Sequence, residues 1–216
     1  MHKLKSDYIK LTSTNRIFCC AKPAIGLTGG IATGKSSASN FFRSKGIPLI
    51  DADQLIHQIY AKPQTIEFIS QTIPEVISGG KIDFKELRIH FFNDAVLKEK
   101  IVNYLFSHLP NEFNQELAKY DDSKFEYFIY DVPLLFERGI QNKIDINLLI
   151  YASAATQIER VMKRDGNTEE LAKNILSHQL DIEKKRELSD FVIENTKDFK
   201  YLEEQLASFI TAVTLD

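Results

Sequence analysis

LTGGIATGKSS, residues 27–37, is the stretch that decides how this chain folds. Within it, residues 29–36 fit the pattern G-x-x-x-x-G-K-[ST]. The apolar run 24–28 leads into the stretch and a helical pattern, 35–44, follows it, which is the strand-loop-helix context that this pattern requires. Glycines let backbone N–H groups turn inward around phosphate oxygens, and a helix N-terminus adds a partial positive charge. The stretch therefore predicts a phosphate-binding loop after a buried strand.

The side chains of this loop suit a nucleoside triphosphate with Mg²⁺. Lys35 is expected to reach the β- and γ-phosphates, and the Ser36 hydroxyl to bind Mg²⁺. A glycine-rich turn with a capping serine is the alternative, but it leaves the charged lysine unexplained. The predicted nucleotide contacts from the loop are Gly30, Ile31, Ala32, Thr33, Gly34, Lys35, Ser36 and Ser37.

Strand and helix patterns alternate along most of the chain from Pro23 onward. Several apolar runs are continuous rather than alternating, which is typical of parallel strands that are covered on both faces. Parallel strands need crossover connections, so the alternation predicts a three-layer α/β fold. The remaining predicted strands are 47–50, 125–130, 146–151 and 191–193, and the remaining predicted helices are 54–60, 154–164 and 169–178.

Two segments interrupt this alternation. Residues 61–120 contain no convincing strand but show apolar side chains at helical spacing, and the Ser-Gly-Gly sequence at 78–80 marks a turn. We interpret this segment as a helical insertion between the second and third strands. Residues 163–186 are polar and charged, with a turn at Asp165-Gly166, and form a second candidate insertion.

Residues 1–22 differ in composition from the rest of the chain. They carry five lysines and arginines against a single acid, Asp7, and they lack the apolar stretch of a secretory signal. We predict a flexible N-terminal extension, and an organelle-targeting segment is the alternative. Residues 23–216 then form one phosphate-loop domain that contains both insertions.

The composition bounds the class of protein. The 216 residues are 44% hydrophobic and 26% charged, which is enough for one globular domain with a substantial core. A net charge of −3 gives no sign of general nucleic-acid or membrane-surface binding, and no apolar run approaches the roughly 18 residues of a membrane helix. The two cysteines, Cys19 and Cys20, are adjacent and cannot cross-link the fold, which fits a reducing compartment. We therefore expect a cytoplasmic monomer or weak homo-oligomer without nucleic-acid or membrane partners.

Two aspartates, Asp51 and Asp53, follow the second predicted strand. Ligands of open α/β sheets bind beyond the carboxyl ends of the strands. A helix is predicted to begin near residue 54, so one carboxylate can face the phosphates while the other caps the helix. One of the two is expected to accept a proton from a substrate hydroxyl, and simple capping is the alternative. His57 lies one helical turn after Asp53, where it either contacts substrate or lies on the surface.

Asp131 ends the third predicted strand, in the sequence FEYFIYDVPLLFE at residues 125–137. An acid at this position resembles the Walker-B aspartate, which steadies Mg²⁺. Pro133 and the leucines after it are not typical of that motif. Asp131 is therefore either an acid beside the metal or substrate, or one that is hydrogen-bonded within the end of the sheet.

Arg160 and Arg164 lie four residues apart and share a helix face. Arginines on a closing segment neutralise charge on a phosphoryl group in transfer, and complementing a helix C-terminus is the alternative role. Lys184, Lys185 and Arg186 are expected to form a solvated face.

At five places the chain resembles the dephospho-CoA kinase family. The matching segments are GLTGGIATGKS, GIPLIDADQLIH, DVPLLFERG, RVMKRDGNTEELAKNILSHQ and LSDFVIENT, which lie in the family's order within residues 25–196. The resemblance implies transfer of the γ-phosphate of ATP to the ribose 3′-hydroxyl of dephospho-CoA, the last step of coenzyme A synthesis. It also implies a five-stranded parallel core, a helical acceptor domain at about 61–120 and a mobile lid at about 163–186.

The same resemblance implies roles for single residues. Asp53, the second acid of DAD, corresponds to the base, with Lys35 and Arg164 as the other catalytic residues. Asn195 falls where the family contacts the adenine of ATP, and Arg160 is predicted to contact the nucleotide as well. The predicted contacts to dephospho-CoA are Asp53, His57, Pro133 and Leu134, and the predicted Mg²⁺ ligands are Ser36 and Asp131.

The chain departs from the family's pattern at three places. Asp83-Phe84 stands where the family often has Asp-Arg, Phe106-Ser107 where it has His-Pro, and Thr196-Lys197 where a glycine usually follows the asparagine. Two of the departures lie in the helical acceptor region, so they concern how tightly the acceptor is bound rather than phosphoryl transfer. Another small-molecule or nucleotide kinase on this core, and a nucleotide-binding protein with reduced catalysis, are the alternative functions.

Overall fold

The computed structural model describes residues 3–215, which divide into two compact units. The core unit comprises residues 3–50 and 120–215, and the helical unit comprises residues 51–119. The strands are β1 (Lys3–Leu4), β2 (Ala24–Gly29), β3 (Leu49–Asp51), β4 (Ile77–Ser78), β5 (Lys81–Ile82), β6 (Phe128–Asp131), β7 (Ile146–Tyr151), β8 (Phe191–Glu194) and β9 (Thr214–Leu215). The α-helices are α1 (Lys35–Ser44), α2 (Ala52–Tyr60), α3 (Pro63–Thr72), α4 (Phe84–Asn93), α5 (Ala95–Leu117), α6 (Ala154–Asp165), α7 (Glu169–Ser177), α8 (Ile182–Leu188) and α9 (Phe199–Val213). Across residues 3–215, none of these helices combines the length and the apolar character that a membrane crossing demands.

The core unit contains a five-stranded sheet with the strand order β3-β6-β2-β7-β8. The pairs β2–β6, β2–β7 and β7–β8 are parallel, and every residue of β2, β6 and β7 is buried. Burial on both faces explains why these strands read as continuous apolar runs in the sequence. The predicted α/β fold with a five-stranded parallel sheet is confirmed, and the predicted strands differ from the observed ones only at their ends.

Helices cover both faces of this sheet. On one face, Phe42 of α1 and Leu206 of α9 belong to a buried cluster with Leu148 of β7. On the other face, Ile182 of α8 packs against Leu149 of β7. Successive residues of a strand point to opposite faces, so the two clusters lie on either side of β7. The result is the three-layer arrangement that the alternating pattern predicts.

The helical unit consists of α2 to α5 and a short hairpin of β4 and β5. Its buried apolar cluster draws on all four helices and the hairpin. The turn predicted at 78–80 is present, with positive φ at Gly79 (57°) and Gly80 (73°), but the two short strands that flank it were not predicted. The unit begins at residue 51 rather than at about 61, because α2 packs with α5: the Gln58 side chain donates to Glu116 (3.2 Å).

Residues 3–22 belong to the core unit and pack against the rest of it, and in this they differ from the flexible extension that the composition predicts. β1 pairs antiparallel with β9, and Leu4 is buried in the main apolar cluster. Arg16 forms a buried ion pair with Asp145, which immediately precedes β7 (2.7 Å). The prediction of a flexible segment is wrong for these residues, because their partners lie more than 100 positions away, where local composition carries no information.

The second predicted insertion, residues 163–186, lies within the core unit. It contains the end of α6, all of α7 and most of α8. Helix α6 ends at Gly166 with φ of 68°, at the turn that the Asp-Gly sequence predicts.

Candidate active site

The predicted phosphate loop follows β2 and leads into α1, which begins at Lys35 as predicted. Gly34 holds the N-cap position with φ of 97°, a left-handed conformation that favours glycine. A Cβ at Gly34 would also clash with the side-chain amide of Asn195. Thr33 is buried, and its hydroxyl donates to the carbonyl of Gly30 (2.9 Å). The loop is therefore held in one shape, with the N-terminus of α1 at its end.

Two side chains from outside the loop hold its backbone. Arg160 of α6 donates from Nη1 to the carbonyl of Ala32 (3.2 Å) and from Nη2 to the carbonyl of Asn195 (2.8 Å). Asn195, which follows β8, donates from its side chain to the carbonyl of Thr33 (2.8 Å). The structure thus brings both of these predicted nucleotide residues to the phosphate loop. Their contacts satisfy the loop carbonyls of Ala32 and Thr33.

Lys35 and Asp131 form an ion pair at the carboxyl ends of β2 and β6. Asp131 is buried, and its second oxygen accepts a hydrogen bond from Ser39 of α1 (2.6 Å). These contacts agree with the prediction of an acid that is hydrogen-bonded at the end of the sheet. Ser39 was not predicted, although its position one helical turn after Lys35 was a usable signal.

Arg164 lies at the last turn of α6, one turn beyond Arg160. Its guanidinium donates to both oxygens of Asp165 (2.7 and 2.8 Å), and its side chain is 57% exposed. The hydrogen bonds that Arg164 donates to Asp165 raise the pKa of Arg164 above its ordinary value, and solvent exposure limits the strength of this pair. Of the two predicted arginines, the structure therefore brings Arg160 to the loop, while Arg164 pairs with its own neighbour.

A buried lysine holds the segment after β6, although the sequence pattern predicts that this lysine is exposed. Lys185 of α8 is 0% exposed, although the run Lys184-Lys185-Arg186 predicts a solvated face. Its ammonium pairs with Glu137 (2.8 Å) and donates to the carbonyl of Pro133 (3.1 Å). The prediction is wrong for Lys185 because α8 turns this one side chain inward, on the same face as the buried Ile182. The neighbouring Leu134, a predicted acceptor contact, is half-buried.

A further contact joins the phosphate loop to the segment between α7 and α8. The backbone N–H of Ile31 donates to the side chain of Gln179 (3.0 Å). Gln157 of α6 is buried, and its carboxamide oxygen occupies the space that a Cβ at Gly30 would need. Gln157, Gln179 and Gly30 line a cavity of about 410 Å³ within the core unit. Neither glutamine was predicted, although Gln179 ends one of the segments that carry the family resemblance.

Within the helical unit, the two aspartates at the start of α2 have different environments. Asp51 is the N-cap, and its carboxylate accepts the backbone N–H of Gln54 (3.0 Å). Asp53 lies in the first turn of α2 and is exposed, as is His57 one turn later. The His57 ring lies edge-on to Phe84, with 6.3 Å between the ring centroids. Capping therefore falls to Asp51, and Phe84, where the family often has arginine, extends an aromatic surface beside His57.

Comparison with known proteins shows the family of this chain. The family model described as Dephospho-CoA kinase matches residues 23–200. The dephospho-CoA kinase of Bartonella quintana is 35% identical over 189 residues, which cover 86% of this chain and 95% of the relative. That of Clostridium tetani is 32% identical over 196 residues, covering 88% and 86%.

Two solved structures share the fold over most of the chain. The Thermus thermophilus protein TT1252 superposes with a TM-score of 0.77 at 28% identity, covering 88% of this chain and 97% of that one. Dephospho-CoA kinase from Campylobacter jejuni gives a TM-score of 0.65 at 27% identity, covering 87% and 95%. The phosphate loop and the ion pair between Lys35 and Asp131 thus lie in a chain of which the family model covers residues 23–200. The chain belongs to the dephospho-CoA kinase family, and the activity that follows from this membership is the ATP-dependent phosphorylation of dephospho-CoA to coenzyme A.

Proposed function

We propose that the γ-phosphate of ATP passes to the ribose 3′-hydroxyl of dephospho-CoA, with Asp53 as the base and with Lys35 and Arg164 as the cationic groups. The observation that carries this proposal is the phosphate loop. Its carbonyls are satisfied by Arg160 and Asn195, and Lys35 begins the helix that follows it. Phosphoryl transfer depends mainly on positioning and on charge compensation, which such a loop supplies.

The nucleotide site in this proposal is formed by residues 30–37 together with Arg160 and Asn195. Lys35 pairs with Asp131 in the structure, and an arriving phosphate provides a second anion for the same ammonium. Lys35 then offsets charge on the β- and γ-phosphates as the transferred group moves. The helix N-terminus at Gly34 adds its partial positive charge to the same region.

The donors present fit a Mg²⁺ ion. Ser36 is exposed at the N-terminus of α1, and Asp131 offers a carboxylate that is already hydrogen-bonded in place. In the part of the chain that the structure describes, no cluster of three His, Cys, Asp or Glu could form an all-protein metal cage. Mg²⁺ needs only one or two protein oxygens when phosphates and waters complete its shell. Ser36 and Asp131 would hold the ion, and the ion would offset the negative charge of the phosphates.

Asp53 is the proposed base because it is the second acid of DAD, to which the family resemblance assigns this role. The carboxylate of Asp51 caps α2, so its oxygens are oriented toward the helix backbone. Asp53 is exposed in the first turn, where a carboxylate can accept the proton of an arriving hydroxyl. The ribose hydroxyl loses that proton as the new bond to phosphorus forms.

The acceptor contacts in the proposal are Asp53, His57, Pro133 and Leu134, with residues 61–120 as the acceptor region. Residues 163–186 act as a lid that excludes water from the reacting phosphate. Arg164 lies on this segment, and its exposed pair with Asp165 is weak enough to exchange for a phosphate. The enzyme is proposed to be a cytoplasmic monomer or weak homo-oligomer, with no nucleic-acid or membrane partner.

An assay of ADP release with a panel of acceptors tests this proposal, and matched aspartate variants sharpen it. Asp53→Asn is nearly isosteric and is expected to lower kcat by about 10²–10⁴ while the Kd for ATP changes little, because a positioned base contributes that much. Asp51→Asn keeps a cap acceptor and is expected to cost distinctly less turnover. If the two variants exchange rank, the base assignment fails. Faster turnover of another acceptor indicates a different kinase, and ATP binding without ADP release indicates a protein with reduced catalysis.

A further inference from the structure

Lys185 is a fully buried charged side chain, and the reaction proposed above gives no individual role to it. It is 0% exposed, whereas the preceding residue, Lys184, is 58% exposed and pairs with Glu187 (2.6 Å). Removing an ammonium from water is unfavourable unless an anion and further acceptors surround it. A buried ammonium at this position is therefore tolerated only because of the partners that hold it.

The ammonium of Lys185 bonds at two points to the segment that follows β6. Its Nζ donates to the carbonyl of Pro133 (3.1 Å) and pairs with Glu137 Oε1 (2.8 Å). The same Pro133 carbonyl accepts a hydrogen bond from the buried Thr28 of β2 (3.1 Å). Glu137 Oε1 also accepts the backbone N–H of Leu180 (2.9 Å), which lies just before α8.

These bonds fix a turn at three points along its length. Asp131, at the start of the segment, is held by Lys35 and Ser39 of α1. The middle of the turn is held at the Pro133 carbonyl, and its end at Glu137. Leu134 lies between the second and third of these points, so its backbone position depends on Lys185.

We propose that Lys185 is a positioning residue for the acceptor: it holds the turn at Pro133 and Leu134 in the shape that binds dephospho-CoA. The inference rests on the proposed role of this turn as an acceptor contact. Lys185 does not touch the reacting atoms. It acts through the Pro133 carbonyl and Glu137, so its loss affects the acceptor more than ATP.

The test compares Lys185→Met with Lys124→Met, which removes the same charge from an exposed ion pair outside the proposed acceptor region and lid. Steady-state kinetics at a temperature well below unfolding are expected to show a rise of about tenfold in the KM for dephospho-CoA in Lys185→Met, the loss expected when a charged hydrogen bond that holds a turn is removed. The KM for ATP is expected to stay within about twofold, and Lys124→Met is expected to match the parent enzyme. A purely structural role would lower the active fraction, and hence kcat, without moving either KM. An unchanged KM for dephospho-CoA, or an equal rise for both substrates, overturns the inference.

Two further variants keep the test decisive. If Lys185→Met does not fold, Thr28→Val removes the other donor to the Pro133 carbonyl at nearly constant volume. It is expected to raise the same KM by about 2- to 10-fold, and an unchanged value overturns the inference.

Leu134→Ala separates the inference about Lys185 from the proposed role of the turn as an acceptor contact. If it leaves the KM for dephospho-CoA unchanged, the proposed role of the turn itself fails. If it raises that KM while Lys185→Met does not, the inference about Lys185 fails alone.

Discussion

The ion pair between Arg16 and Asp145 predicts a large loss of stability in Arg16→Met. The Arg16 side chain is 3% exposed and that of Asp145 is 0% exposed. The guanidinium donates to both oxygens of Asp145 (2.7 and 3.2 Å). It also donates to the backbone carbonyls of Leu11, Cys20 and Ala21 (2.6 to 2.9 Å). One side chain therefore connects residues 11–21 to Asp145, just before β7.

The magnitude follows from what the substitution leaves behind. Methionine fills much of the arginine volume but supplies no donor, so a buried carboxylate loses its cation. Removing one partner of a buried ion pair costs about 3–5 kcal/mol. Asp145 still accepts the backbone N–H groups of Leu11 (3.1 Å) and Ala24 (2.9 Å), which continue to solvate its charge. We therefore expect a loss near the lower end, about 3 kcal/mol in the free energy of unfolding.

Urea unfolding at neutral pH measures this loss, with Lys10→Met as the matched control. Lys10 also pairs with a distant aspartate, Asp190, but its side chain is 47% exposed, so its substitution is expected to cost less than about 1 kcal/mol. The KM for ATP is expected to remain unchanged in both variants, because Asp145 precedes the amino end of β7 whereas the phosphate loop follows the carboxyl end of the parallel β2. A loss below about 1 kcal/mol in Arg16→Met would refute the reasoning, since the segment would then be docked without help from the buried pair.

Two further predictions concern the phosphate loop. Lys35→Ala is expected to lower kcat by about 10²-fold or more, because one cation at the developing phosphate charge is lost, while circular dichroism retains the native helix content; full turnover with a native spectrum would contradict the site. Gln179→Ala removes the acceptor of the Ile31 N–H, and hydrogen exchange without ligand is expected to be about 2- to 10-fold faster at Ile31 and through α7, with α9 unchanged as the internal control. Equal exchange rates in the variant and the parent would show that this contact does not hold the segment.

The sequence was most informative where neighbouring residues determine the structure. The start of α1 at Lys35 follows from the glycines before it, and the buried strands follow from runs of apolar residues long enough to cross a covered sheet. The capping role of Asp51 was one of two local possibilities, and only the observed start of α2 separates it from Asp53.

Long-range partners explain what the sequence did not predict. In the sequence, Arg16 is one of several cations in a basic segment. Its neighbours give no indication that it pairs with an aspartate 129 residues later. Lys185 lies in a run of three basic residues, a pattern typical of exposed helices, and only the packing of α8 turns it inward. Arg160 and Arg164 share a helix face in the sequence pattern, but Arg160 bonds to a loop carbonyl whereas Arg164, in the last turn of α6, pairs with Asp165.

The pairing of β1 with β9 has a consequence for how the chain is made. Leu4 is covered by Val213 and its neighbours, and Lys3 pairs with Leu215. At about 5–20 residues per second, the ribosome makes β9 roughly 10 to 40 s after β1. β1 therefore has no partner strand during most of synthesis, whereas the strands of the five-stranded sheet are made before β9. Contacts between residues this far apart in the chain form slowly, so docking of the N-terminal segment is expected to be a late step in folding.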